Sequence, residues 1–166
     1  MSAEKNKQLV ENMVEEIWNQ GNFDNIDEYF TEDTVEHNPY GDVEGTEGIR
    51  QFLTAIHNTY DDYSLTPHNF VVDDNFVAYN FTVEGEHTKS VGELDPTHNY
   101  VEFDGVYLAR IEEGKIVEAW NHFDAMSLLN QLGQLPESTF LNTRVKQISP
   151  REKEERQDRP EHRPRA

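Results

Sequence analysis

Apolar and polar residues alternate along residues 100–123, a period of two that reads as a β-hairpin turning at Glu113-Gly114. On the first strand Val101, Phe103, Gly105, Tyr107, Ala109 and Ile111 share one side. On the second, Val117, Ala119, Asn121 and Phe123 share a side, opposite Ile116, Glu118, Trp120, His122 and Asp124. The mostly apolar side is expected to line a core or pocket, with Tyr107 and Asn121 as polar groups set into it. A short apolar run then ends at Gly133, as a helix with a glycine C-cap does.

Earlier in the chain the period is helical. Leu9, Val10, Met13, Val14, Ile17 and Trp18 form one face of a helix from residue 3 to about 20, capped by Ser2. A short second helix is expected over 23–30. A third, capped by Thr46, carries Ile49, Phe52, Leu53, Ile56 and Tyr60 as its apolar stripe. Between them residues 31–45 read as a loop, with Asn38-Pro39 and Gly41-Asp42 as turn signals. Two further strands, 64–72 and 76–87, flank an Asp73-Asp74-Asn75 turn, and Tyr79, Phe81, Val83, Gly85 and His87 share a face of the second. Helices followed by antiparallel strands predict an α+β domain: a curved antiparallel sheet wrapped on N-terminal helices, a cone whose mouth takes a small ligand.

Composition narrows the function. The chain has 166 residues and a net charge of −19. Residues 134–166 hold 8 of the 14 Lys+Arg but only 6 of the 33 Asp+Glu, so the acidic excess lies in the body. Such a surface repels nucleic acid and suits a high-salt cytoplasm, where salt screens self-repulsion. No stretch has the length of a membrane span, and residues 1–22 lack an apolar signal-peptide core, so a cytoplasmic protein is expected. With no cysteine, thiol chemistry and thiolate metal sites are excluded. The boundaries expected are a cone domain over 1–133, an extension over 134–149, and a charged, aperiodic, disordered tail over 150–166.

Several patches together carry a resemblance: Trp18-Asn19 in the first helix, Val35-Glu36-His37, residues 45–52, Gly85-Glu86-His87 with Gly92, Arg110 to Gly114, Ile116 to Trp120, and Gln131-Leu132-Gly133. From about residue 7 to 133 the chain resembles the SnoaL-like polyketide cyclases, or ester cyclases, of the nuclear-transport-factor-two-like superfamily, which also holds ketosteroid isomerase. The resemblance implies a cystatin-like cone and a cofactor-free intramolecular aldol closure. A carboxylate removes a proton from an activated carbon and later protonates the new alkoxide. In the family that aspartate follows the Arg-x-x-x-Gly hairpin, supported by a histidine on the neighbouring strand. Those positions here are Asn121 and Tyr107. Asparagine supplies hydrogen bonds but no carboxylate base.

The remaining candidates are weighed by parity. His87 shares the lining face and reads either as a general base or as a histidine satisfied at a strand end. His37 is expected near the cone mouth and reads either as a catalytic group or as a histidine with no role in the chemistry. Asp124 reads as the N-cap of the last helix, with a relocated base as the alternative. Trp18, Tyr79, Phe81, Phe103 and Phe123 are expected to contact ligand. His37, His87 and His122 lack the short spacing of zinc motifs, so neither metal nor cofactor is expected. The reading is an acid–base enzyme, cyclase or isomerase-like, acting on a small apolar carbonyl compound. The alternative is a non-catalytic binding protein on the same fold. An outer sheet face with Val106, Leu108, Ile116 and Trp120 predicts a homodimer or higher homo-oligomer.

Overall fold

The computed structural model describes residues 2–135. The expected extension beyond residue 135 and the charged tail lie outside these. Helix α1 (Ala3–Met13) starts at Ser2, whose Oγ accepts from the Lys5 N–H at 3.4 Å, and continues as a wider π-helical turn over Val14–Asn19. A 3-10 turn, Phe23–Asn25, leads into the short α2 (Ile26–Tyr29). Strands β1 (Phe30–Asn38) and β2 (Gly41–Glu44) follow, then α3 (Gly45–Thr59). Strands β3 (Tyr60–Val72), β4 (Phe76–His87), β5 (Tyr100–Glu112) and β6 (Lys115–Phe123) complete the sheet, and α4 (Ala125–Gln131) closes the domain.

The six strands run in the order β2-β1-β6-β5-β4-β3 in one curved, unclosed sheet. All neighbours are antiparallel except β1 and β6, which are parallel. Register shifts within β3–β4, β5–β6 and β1–β6 supply the bends that curve a sheet. The α+β class and the helix-on-sheet arrangement expected from the sequence hold. Val10, Met13 and Ile17 of the first helix and Ile49 and Leu53 of α3 are buried in one core with Val77, Tyr79, Tyr107 and Ala109 of the sheet. Each fully buried aliphatic side chain there contributes about 1.5–3 kcal/mol.

Three expectations need correction. Residues 31–45 are not a loop but mostly the β1–β2 hairpin, and the turn signals at Asn38-Pro39 mark its reversal. The strand escapes an apolar-alternation search because Thr34 and Glu36 point inward while Val35 and His37 point out. Ile116 belongs to the core, not the outer face. The irregularity at Arg110/Ile111 pairs Ile116 with Ile111 and shifts its parity relative to Ala119 and Asn121. Third, α3 starts at Gly45 with Glu44 in the cap position, two residues earlier than a Thr46 cap would set it.

Candidate active site

The curved sheet and the helices enclose a cavity of about 570 Å³, counting the open space at its mouth. Trp18 of the first helix and Phe52 and Ile56 of α3 form one wall. Phe81, Phe103 and Phe123 of the sheet form the opposite one. Gly105 makes room for this wall: a Cβ there would lie 2.3 Å from the Phe81 ring and 2.8 Å from the His122 carbonyl oxygen. Tyr40, two-thirds exposed, lines the cavity from the solvent side and packs on Phe123 with ring centroids 5.5 Å apart.

Trp18 is held tightly. Its carbonyl accepts from His57 Nε2 at 2.7 Å, and its ring stacks on Tyr63 with centroids 6.5 Å apart. The next residue, Asn19, exchanges two hydrogen bonds with the Leu65 backbone, at 3.1 and 2.8 Å, and so ties the helix end to β3. The Trp18-Asn19 pair thus joins helix to sheet at the cavity edge.

The sheet register builds the polar centre. Tyr79, Tyr107 and Asn121 face one another across β4, β5 and β6. On the parallel neighbour β1, Glu36 sits opposite Ala119, one inward position from Asn121. Asn121 Nδ2 donates to Glu36 Oε1 and Tyr107 Oη donates to Glu36 Oε2, both at 3.4 Å. Glu36 is only 2% exposed. Loss of hydration pushes its carboxyl up to about 7, and the bonds from Asn121 and Tyr107 only partly oppose this. The same carboxylate adds to the burial that raises the phenols of Tyr63, Tyr79 and Tyr107. The result is a carboxyl that changes protonation near neutral pH inside a ring of neutral hydrogen-bonding groups, which is what general acid–base catalysis requires.

The sequence-selected residues divide by location. Trp18, Phe81, Phe103, Asn121 and Phe123 line the cavity. Tyr79 and Tyr107 are buried beneath that lining, their rings 5.4 Å apart. His87 is buried behind Tyr60, with Nδ1 accepting from the Thr97 N–H at 3.1 Å. Burial lowers its pKa. His37 is on the outer face, stacked on Trp120 at 5.6 Å and bonded to Asp42 at 2.8 Å and Glu118 at 3.3 Å. Asp124 caps α4, accepting from the Ser127 N–H at 2.8 Å. His122 is exposed. No group of three or more metal-ligating side chains converges among the described residues.

Sequence reasoning passed over Glu36. The signal was the Val35-Glu36-His37 patch itself, but the histidine drew attention, and its parity is opposite to that of the glutamate.

Comparison with known proteins agrees with this geometry. A profile described as SnoaL-like polyketide cyclase matches residues 8–132. The chain belongs to the SnoaL-like polyketide cyclase family. AclR from Streptomyces galilaeus, assigned as a hydroxylase, shares 25% identity over 81% of this chain and 100% of its own, with a TM-score of 0.72. TsrD from Streptomyces laurentii shares 24% over 81% and 99%, with a TM-score of 0.73. A protein assigned as a SnoaL-like polyketide cyclase from Jannaschia sp. CCS1 shares 18% over 81% and 95%, with a TM-score of 0.74. A sequence search against curated proteins finds no match. Like other members of this nuclear-transport-factor-two-like fold, the chain is a helix-backed cone, and among the described residues no helix is long and apolar enough to cross a membrane.

Proposed function

We propose that this SnoaL-like protein is a cofactor-free acid–base enzyme acting on a small, largely apolar carbonyl compound, with Glu36 as the proton-transfer group. The family's base position is Asn121, which cannot ionise; the reading moves the carboxylate from β6 to the facing position on β1. The observation that carries it is the Glu36 carboxyl, buried behind the cavity-lining Asn121, raised to about 7 and held by Asn121 and Tyr107.

Ionised Glu36 takes a proton from the carbon next to a ligand carbonyl. The C–H electron pair becomes the enolate, and charge gathers on the carbonyl oxygen. In an aldol closure the enolate carbon attacks a second carbonyl, forming the C–C bond. The resulting alkoxide takes back the proton from Glu36. In an isomerisation the proton returns to a different carbon. Both hydrogen bonds to Glu36 are long, so the carboxylate exchanges them readily for a ligand proton. Burial matters twice: it brings the pKa near the working pH and strengthens each hydrogen bond to the enolate.

The test is exchange of the α-protons of an activated ketone, 2-tetralone, in deuterium oxide. Wild type is expected to catalyse exchange and Glu36→Gln is expected not to. Equal exchange by both sinks the assignment. A second reading, a binding protein without catalysis, is favoured by the near-complete burial of Glu36 behind Asn121. It predicts ligand-induced shifts in both proteins and exchange in neither.

Two wider features belong to the same reading. The acidic body supports adaptation to high salt, expected as a melting temperature that rises with molar potassium chloride. Half-exposed Val106, beside Leu108 and Trp120 on the outer face, supports a homo-oligomer, expected as a dimer in sedimentation at micromolar concentration.

A further inference from the structure

Two buried polar atoms of cavity-lining residues stand out for what they lack. Trp18 and Asn121 are 4% and 5% exposed, and both line the cavity. The Trp18 Nε1–H and the Asn121 Oδ1 have no hydrogen-bond partner among the described residues. Leaving a buried donor or acceptor unsatisfied is costly, and such groups in a native chain call for a partner. Neither can swing away to find one. The Trp18 backbone is pinned by His57 and its ring by Tyr63. The Asn121 amide is oriented by its Nδ2 bond to Glu36, which leaves its oxygen free. The two atoms have opposite polarity, one donor and one acceptor, on facing elements of one chamber that is mostly aromatic and aliphatic and also lined by Glu84.

We propose that Trp18 Nε1–H and Asn121 Oδ1 form a two-point polar subsite for a hydroxylated cyclic ketone, the indole donating to its carbonyl oxygen and the amide oxygen accepting from its hydroxyl. This rests on the acid–base reading and deepens it. The carbonyl that Trp18 polarises is the one whose α-proton Glu36 removes, so the indole N–H also steadies the enolate oxygen. The hydroxyl sets which way round the ligand lies. The ionised form of Glu36 accepts from Asn121 Nδ2 and thereby holds the amide oxygen out as an acceptor, so the base and the hydroxyl-reading group are set by one hydrogen bond. The aromatic walls at Phe81, Phe103 and Phe123 accept a flat ring body between the two polar points.

The experiment measures dissociation constants by calorimetry at pH 8 for four probes: 2-tetralone, 6-hydroxy-2-tetralone, 6-methoxy-2-tetralone and 2-naphthol. Wild type is expected to bind 6-hydroxy-2-tetralone tightest, and methylation of its hydroxyl to cost roughly tenfold. Trp18→Phe, which keeps a flat ring but removes the N–H, is expected to weaken the three ketones roughly tenfold and leave 2-naphthol unchanged. The methylation penalty is expected to survive in that variant, because it reads Asn121 rather than Trp18. Equal weakening of all four probes by Trp18→Phe overturns the subsite, as does no weakening, no methylation penalty, or no binding to wild type. Should Trp18→Phe not fold, by near-ultraviolet circular dichroism, the methylation penalty in wild type decides the acceptor half and the carbonyl preference over 2-naphthol the donor half. Glu36→Gln keeps an acceptor for Asn121 Nδ2, so its probe pattern is expected to match wild type while exchange is lost. Loss of the probe pattern with Glu36-dependent exchange intact sinks the subsite alone. The reverse result sinks the acid–base reading alone.

Discussion

Glu36 and His37 are neighbours in one strand, and the sheet sends them into opposite worlds. Both have raised pKa values, but for opposite reasons. At Glu36 the cause is lost hydration, which favours the neutral acid. At His37 it is first the hydrogen bonds to Asp42 and Glu118, which favour the cation. The inner carboxyl is thus poised to change charge near neutral pH behind the cavity wall. The outer histidine is a member of a surface network with Asp42, Glu118, Arg110 and Glu112. The difference teaches that strand parity, more than residue type, decides which of two ionisable neighbours has chemistry available to it. A histidine attracts attention in a sequence, yet the glutamate beside it is the group with a cavity to serve.

The largest expected effect is on proton exchange. Glu36→Gln should slow α-proton exchange of 2-tetralone by about 10²–10⁴-fold, the usual contribution of a positioned acid–base group. His37→Gln should leave it unchanged. If the histidine variant is the slower of the two, the comparison is reversed.

Stability should also separate the two faces. Adding a second carboxylate by Asn121→Asp brings two acids within hydrogen-bonding distance in a buried site. They are expected to share one proton, with a stability loss of roughly 3 kcal/mol or more at pH 8 that shrinks below pH 5. Chemical denaturation at the two pH values reads it, and equal losses at both would place Asn121 in solvent.

In wild type the sign of the pH dependence follows from Glu36. Its folded pKa is about 7, above the ordinary glutamate value of 4.5, so the folded chain holds a proton that the unfolded chain has released across that window. The carboxyl therefore costs stability progressively as pH climbs from about 4.5 to 7, by about 3 kcal/mol in all, and the cost levels off above 7. Glu36→Gln removes this component. Denaturation midpoints of wild type and variant should diverge over that range, with the variant the more stable at pH 8.

His37 gives the smallest effect and the opposite sense of linkage. Its contribution is present in full below the unfolded value of 6.5 and is lost as pH rises through the higher folded one. Because the pair partners are solvent-exposed or nearly so, His37→Gln should change the denaturation midpoint at pH 6 by no more than the scatter of the measurement.

Much of this was legible in the sequence. Period-two alternation put Tyr107, Asn121, Phe103 and Phe123 on the inner side of the hairpin, and the structure has them there. The helical stripe of Val10, Met13, Ile17 and Trp18 is buried as its spacing required. What failed did so for physical reasons. Strand β1 carries a threonine and a glutamate inward, so its hydrophobic pattern is inverted and no apolar period reports it. Ile116 changes sides because the β5–β6 ladder slips near the hairpin turn, and alternation cannot count across a slip. His87 sits on the correct face but too far up the strand, where Tyr60 covers it. Parity fixes a side, whereas the depth of a side chain beneath a cavity depends on helices packed from elsewhere in the chain.

The central claim is that Glu36 titrates near neutral pH inside the cone. The most direct measurement is a carboxyl carbon-13 NMR titration of the selectively labelled glutamates, comparing wild type with Glu36→Gln. One resonance should titrate with a midpoint near 7 in wild type and be absent from the variant. If every glutamate resonance has finished titrating by about pH 5.5, as unperturbed carboxyls do, Glu36 is an ordinary hydrated acid and cannot be the base this account makes it.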